Sequence, residues 1–302
     1  MSEQLIQAGA VELCYETFGE AGEAPVLLIM GLGTQMLGWP EGFCRQLAAQ
    51  GHLVVRFDNR DVGRSTHLSD RRPPSAAELV TRRPRNPAYT LDDMADDAAA
   101  LLDALGLPTA HVVGASMGGM IAQTLAVRHP AKVRSLVSIM STTGAARVGQ
   151  PALKVLPFLL KAPARDRDVA VDRIVELFGM VGSPGFERDV AATREMAGAS
   201  FDRSSDRAGA GRQLAAILAS GNREAALRTI TAPTLVIHGD ADRMVAPSGG
   251  KATARAIPGA RLELIRGMGH DLPQGAWDRI VGLIAAHAGS ADARAQAATP
   301  VE

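Results

Sequence analysis

The chain has 302 residues, 46% hydrophobic and 21% charged, enough for one large globular core or a core carrying an insertion. Lysine plus arginine equals aspartate plus glutamate at 32 each, so no net field favours nucleic acid or an anionic membrane surface. Apolar runs such as Val26–Met30 and Val155–Leu160 are far too short to span a bilayer, and Met1–Leu13 lacks the basic-then-apolar pattern of a secretory signal. Cys14 and Cys44 have no activating neighbour in sequence and read as buried free thiols, which points to a reducing, cytoplasmic setting.

Leu5–Gln7 and Val11–Phe18 read as an opening hairpin, with Val11, Leu13 and Tyr15 alternating on one face. Val26–Met30 is continuously apolar, the pattern of a strand covered on both faces in a parallel sheet. Phe43–Gln50 reads as a short helix and His52–Asp58 as the next strand. Arg71–Pro87 reads as an exposed loop whose five arginines form a solvated face. Thr90 and Asp93 have capping-box spacing ahead of a helix that buries Met94, Ala98, Leu101, Leu102 and Leu105 and stops at Gly106. A strand ending at His111–Val113, a helix over Met120–His129 and a strand over Val133–Met140 follow. From Gly144 to about Thr231 prolines punctuate helical stretches and no strand is evident. Alternation then returns with Thr234–Gly239, Pro247–Ile257, Arg261–Ile265 and Ala276–Ala286, and Ala288–Glu302 reads as a loose tail. The expected fold is a doubly wound, mostly parallel α/β sheet with a helical cap: core 1–143 and 232–287, cap 144–231, flexible tail 288–302.

Gly114-Ala115-Ser116-Met117-Gly118 places a serine between strand and helix signals. A turn that tight holds the serine in strained backbone and needs small neighbours, the context of a nucleophile elbow. A serine hydroxyl needs a base, and the base needs an orienting group. Of the seven histidines, His52, His67, His111, His129 and His287 have positional explanations, and His238 inside an apolar strand reads as structural. His270 follows the last strand in Gly267-Met268-Gly269-His270, at the carboxyl end of a strand, where open α/β sheets place ligand sites. His270 is the expected base. The acid should lie between serine and histidine; Asp240 and Asp242 both follow Thr234–Gly239, with Asp242 the expected acid and Asp240 a turn stabiliser. The rival reading of Asp242 is a carboxylate capping the helix that starts near Pro247. The backbone amides of Met117 and of Leu32, which sits between Gly31 and Gly33, are the expected oxyanion donors. No His/Cys/carboxylate group has metal-ligand spacing, and Gly31-Leu32-Gly33 lacks the rest of a dinucleotide fingerprint, so no metal or cofactor is expected.

These stretches, with Met30-Gly31, Leu37-Gly38-Trp39-Pro40, Asp58-Asn59-Arg60-Asp61-Val62-Gly63-Arg64-Ser65 and Pro233-Thr234-Leu235-Val236-Ile237, resemble the α/β-hydrolase fold superfamily everywhere except the cap. Within it, the chain is most similar to the aclacinomycin-methylesterase-like serine hydrolases. The resemblance implies Ser116 as nucleophile, Asp242 as acid, His270 as base and the Leu32 and Met117 amides as the oxyanion hole. It implies a small-molecule ester as substrate. Two positions depart from the common pattern: Met30 stands where many members have histidine, and Asp61 where many have glycine. Lactonase, carbon–carbon bond hydrolase and cofactor-free perhydrolase reactions run on the same three side chains, and a non-catalytic receptor is the rival from another class. Serine rather than aspartate at the elbow argues against dehalogenase and epoxide hydrolase chemistry. The apolar cap residues Phe158, Leu159, Phe178, Met180, Phe186, Met196 and Phe201 are expected mostly to pack the cap, some lining the entrance for an uncharged, moderately apolar ester.

Overall fold

The computed structural model describes residues 3–159, 164–204, 206 and 208–298. In chain order the first half runs β1 (Gln4–Ala8), β2 (Val11–Phe18), β3 (Ala24–Ile29), α1 (Glu41–Ala48), β4 (His52–Phe57), α2 (Ala76–Thr81), α3 (Leu91–Ala104), β5 (Ala110–Ala115), α4 (Met117–Arg128) and β6 (Val133–Ile139). Among the described residues five helices follow: α5 (Leu156–Leu159), α6 (Arg167–Val181), α7 (Val190–Arg203), α8 (Gly209–Ser220) and α9 (Glu224–Leu227). The chain then returns to the sheet with β7 (Thr234–Gly239), α10 (Ser248–Ala256), β8 (Arg261–Ile265) and α11 (Trp277–Ala298).

One eight-stranded sheet has the order β1-β2-β4-β3-β5-β6-β7-β8. From β4 to β8 all neighbours are parallel, and the opening hairpin joins antiparallel through β2. The apolar runs behave as two-sided strands should. In β3, Leu27 and Ile29 join the cluster under α3 and α4, while Val26 and Leu28 join the cluster under α1 and α11. In β5, Val112 and Val113 divide the same way. The capping box at Thr90 and Asp93 starts α3.

Two expectations need correction. The Pro/Arg-rich stretch is not all loop: Ser75 and Glu78 form a capping box for α2, and Arg72 bonds Glu78 at 2.7 Å, so one of its arginines is tied down. The expected loose tail is mostly helix. α11 continues through Ala298 because Ala288 and Ala291 are buried and Asp292 reaches Arg134 at 2.7 Å. Residues 299–302 lie outside the described residues.

Among the described residues of 144–231 there is no strand, as expected. Asp166 and Asp189 cap α6 and α7 by accepting from Val169 N and Ala192 N. Phe178, Met180, Phe186, Met196 and Phe201 are half-buried, and the side chain of Leu159 lies outside the described residues. The helical block is seated on the core at loops that follow strands. Gly185 N donates to Gly267 O beyond β8, and a Cβ on Gly33 beyond β3 would come within 3.0 Å of Ala210 Cβ at the start of α8. Buried ion pairs fasten it further. Arg212 of α8 holds Asp61 through two bonds of 2.8 and 2.7 Å, and Arg203 of α7 holds Asp58 at 2.9 Å.

Candidate active site

Ser116 sits between β5 and α4 with φ 56° and ψ −119°, a left-handed conformation that costs a non-glycine residue roughly 1–3 kcal/mol. The neighbouring glycines make this possible. A Cβ at Gly114 would overlap the Gly118 carbonyl, one at Gly118 would overlap Ile29 O, and one at Gly119 would lie 2.6 Å from Ser141 Cβ. The turn is held from the next strand as well: Ser116 N donates to Ile139 O at 2.9 Å and Ser141 Oγ donates to Ser116 O at 2.7 Å.

The three side chains singled out in sequence meet here. His270 Nε2 lies 3.0 Å from Ser116 Oγ, and His270 Nδ1 lies 2.7 Å from Asp242 Oδ2. Asp242 follows β7 and is buried; its other oxygen, Oδ1, accepts from Met244 N at 2.8 Å and Val245 N at 2.9 Å. The rival reading, a cap for the helix near Pro247, does not hold: α10 has no side-chain cap, and Asp242 ties down the Met244–Val245 turn ahead of it with one oxygen while the other bonds the histidine. Asp240 is exposed and accepts from Gly267 N at 2.7 Å, tying its turn to the loop beyond β8. His238 is buried and structural: its Nε2 bonds Val245 O at 2.9 Å, and burial holds its pKa below the ordinary imidazole value. His238 Nε2 also stands 3.5 Å from Asp242 Oδ2, a neighbour the sequence reading did not pair with it.

Against Ser116 lies the loop after β3. A Cβ on Gly31 would come within 3.1 Å of Ser116 Cβ and 3.6 Å of its Oγ, so a side chain here would crowd the serine and the glycine keeps the backbone close to it. Thr34 N donates to Gly31 O at 3.2 Å, closing a turn with Leu32 and Gly33 at its two central positions. Gly33 has φ +64°, the left-handed value that a turn of this kind assigns to glycine. Asn59 Nδ2 donates to Met30 O at 2.9 Å and fixes the stem of the loop. Among the described residues, neither Leu32 N nor Met117 N has a protein acceptor. Met117 opens α4, so its amide is one of the unsatisfied donors at the positive end of a helix.

Two contacts here were not anticipated in sequence. The histidine loop is paired with the α6–α7 connection: His270 N donates to Val181 O at 2.7 Å, and Gly269 N donates to Ser183 Oγ at 2.8 Å. Ser183 in turn donates to Asp271, whose carboxyl pKa is raised by burial. The second is Gln213 of α8, which touches the Gly31–Thr34 turn. A signal existed for each: a Gly-Ser-Pro-Gly turn, and a lone amide followed by Leu214, Ala215, Ala216 and Ile217.

A profile of the α/β hydrolase fold matches residues 24–273. The chain belongs to the α/β-hydrolase fold family. Over 95% of its length this hydrolase is 32% identical to the rhodomycin D methylesterase DauP of Streptomyces sp. (strain C5), covering 98% of that protein. Over the same 95% it is 30% identical to the rhodomycin D methylesterase DnrP of Streptomyces peucetius, again covering 98% of it. Both fit the methylesterase group that the sequence resembles. The enol-lactonase of Burkholderia xenovorans LB400 shares the fold, with a TM-score of 0.72 at 22% identity over 94% of this chain and 99% of that one.

Among the described residues of the hydrolase, one group of side chains is near enough to share a cation: ligand atoms of Asp61, His67 and Asp206 lie within 4.8 Å of one another. Arg212 already binds both carboxylates and Tyr89 Oη donates to Asp61 at 2.7 Å, so their charge is committed to an ion-pair network. No helix among the described residues is long and apolar enough to cross a membrane.

Proposed function

We propose that Ser116, His270 and Asp242 carry out acyl transfer in this carboxylic-ester hydrolase of the α/β-hydrolase superfamily, through a covalent acyl-enzyme. The unbroken hydrogen-bond chain from Asp242 through His270 to Ser116 carries the reading. Ser116 Oγ attacks the ester carbonyl carbon while His270 Nε2 takes its proton, and Asp242 holds the imidazole in the tautomer that leaves Nε2 free to accept. The negative charge that develops on the carbonyl oxygen is met by the Leu32 and Met117 amides. Collapse expels the alcohol, which takes the proton from His270. Water then repeats the sequence in reverse roles to release the acid and restore Ser116.

The substrate class we infer is a small, uncharged, moderately apolar ester, a methyl ester among the first to test, since two relatives are named methylesterases. The 144–231 block sets that preference: the reacting groups all come from core loops, while half-buried Phe178, Met180 and Phe186 come from the cap. We place the protein in a reducing, cytoplasmic setting. Its two cysteines are free and buried, and burial pushes both thiols up to about 12, so neither is a thiolate at neutral pH.

A fluorophosphonate added to the wild-type protein is expected to label Ser116 alone and stop hydrolysis of a panel of methyl, aryl and longer-chain esters. Ser116→Ala should be unlabelled and inactive on the whole panel. Labelling at another residue, or hydrolysis that survives in Ser116→Ala, sinks the assignment.

A further inference from the structure

The Gly31–Thr34 turn presents two central amides, those of Leu32 and Gly33, and both would be free in an isolated turn. Among the described residues only the Leu32 amide has no acceptor. Gly33 N donates to Gln213 Oε1 at 2.8 Å, and Gln213 belongs to α8 of the cap, 180 residues away in sequence. Gln213 is fully buried and its other end is committed too, Nε2 donating to Arg60 O at 2.8 Å. The two backbone partners fix which way the amide lies: a peptide N–H can only donate and a carbonyl can only accept. Thr34 Oγ1 donates to Leu32 O at 3.2 Å, so the Leu32–Gly33 peptide is gripped on both its N–H and its C=O. Small residues at the start of α8 allow this approach, since a Cβ at Gly209 would overlap Asp61 O.

We propose that Gln213 is a positioning residue for oxyanion binding: from the cap it occupies the Gly33 amide and locks the turn so that the Leu32 amide is the one donor left for substrate. The inference rests on reading Leu32 as an oxyanion donor. Gln213 touches no reacting atom; it acts by holding the peptide plane next to the one that does the work. A bond of this kind is worth little to substrate binding, because the ground-state carbonyl oxygen asks little of the donor. It matters when the oxygen becomes charged, since an oxyanion is stabilised by a donor already fixed in place. Loss of Gln213 therefore falls on kcat and on the affinity of transition-state mimics, and leaves KM nearly untouched.

The experiment pairs Gln213→Met, which keeps shape and removes both polar atoms, with Leu32→Pro, which removes the Leu32 N–H. Each is measured for kcat, KM, thermal midpoint and inhibition by a trifluoromethyl ketone, whose adduct with Ser116 carries an oxyanion. In Gln213→Met, kcat and ketone affinity should both fall about 10- to 100-fold with KM within about twofold. In the Leu32→Pro background, Gln213→Met should cost kcat little more, because the two act through one donor. Wild-type kcat in Gln213→Met beside a crippled Leu32→Pro overturns the role of Gln213 alone. Wild-type kcat in Leu32→Pro overturns the oxyanion reading of Leu32 and this proposal with it. Fully additive losses, or a loss confined to KM, also overturn it, since Gln213 would then act elsewhere. Should Gln213→Met not fold, Gln213→Leu serves: it too leaves Gly33 N without its acceptor, so unchanged kcat there is equally fatal.

Discussion

Arg212 and Asp61 meet in a two-point ion pair, Nε to Oδ2 at 2.8 Å and Nη2 to Oδ1 at 2.7 Å, with side-chain exposures of 2% and 0%. The pair joins the cap to the core. Asp61 has a φ of 70°, left-handed backbone that a non-glycine residue seldom takes, and its carboxylate is bound by the cap arginine. Desolvating both ions offsets much of their attraction, so the pair adds little net stability while intact, yet removing Asp61 leaves the buried Arg212 with Asp206 in place of two carboxylates and strands the Tyr89 hydroxyl and the Leu68 amide. Asp61→Ala is expected to lower the unfolding free energy by about 3 kcal/mol in urea titration. The double variant Asp61→Ala/Arg212→Met should lose less than the sum of the two single changes. Strict additivity would show that the two do not act as a pair.

Asp242→Asn and Asp240→Asn separate the two carboxylates beyond β7. An asparagine at 242 keeps an oxygen for the Met244 and Val245 amides but offers His270 the wrong partner, so the fold should survive while kcat falls by about 10⁴-fold, as for the same change in a serine-protease triad. Asparagine at 240 still accepts from Gly267 N, and kcat should stay within about threefold of wild type. Steady-state kinetics with circular dichroism as the folding control decides it, and the opposite ranking would mean the roles are exchanged.

Ser183 should matter to turnover although it lies on the cap. Its hydroxyl accepts from Gly269 N and donates to Asp271, on either side of His270. Ser183→Ala is expected to lower kcat about 10-fold through a misplaced imidazole, at a stability cost of about 1 kcal/mol. Asp271→Asn should behave differently. Burial raises the Asp271 carboxyl pKa, so its ionisation weighs against the folded state as pH rises, and the asparagine variant should gain in Tm relative to wild type on the alkaline side. A Tm difference independent of pH would refute this.

His111 predicts an acid limit to stability. It is fully buried, its Nδ1 lies 2.9 Å from Ser135 Oγ and its ring packs against His52; burial, the leading cause, lowers its pKa from 6.5 to about 4 despite Asp292 nearby. Between those two values the unfolded chain binds a proton that the folded chain does not. Its contribution is therefore complete above pH 6.5 and is lost as pH falls toward 4, at up to about 1.4 kcal/mol per pH unit. His111→Gln should be less stable at neutral pH but show a shallower decline over that window in chemical denaturation. Parallel curves for the two proteins would remove His111 from the account.

What was legible in the sequence followed the backbone's own period. Two-sided strands such as Val26–Met30, the glycine-bracketed Ser116 and the Gly267–His270 loop are local patterns, and Ser116, Asp242 and His270 were within reach because each ends or follows a strand. The last helix was harder: Ala288–Glu302 is small and polar, and what holds its helical part is a distant bond from Asp292 to Arg134 on β6. Ser183 and Gln213 carry local marks, a Gly-Ser-Pro-Gly turn and a lone amide before an apolar run, but these marks do not name the partners. Their partners, Gly269 and Gly33, lie 86 and 180 residues away, and nothing local distinguishes a buried glutamine that grips a loop from one on a helix surface.

The cap of this hydrolase reaches into the core at Gly33 through Gln213 and at Gly269 through Ser183. For an engineer this moves the seam. A chimaera cut at the ends of the 144–231 block carries over a donor's pocket wall but discards the grips on two loops of the recipient's chemistry. Such a hybrid would fold and still be slow, and its slowness would be mistaken for poor substrate fit. Retaining Val181–Gly185 and the first half of α8 from the recipient, and exchanging only what lies between and above them, keeps both grips while the pocket changes.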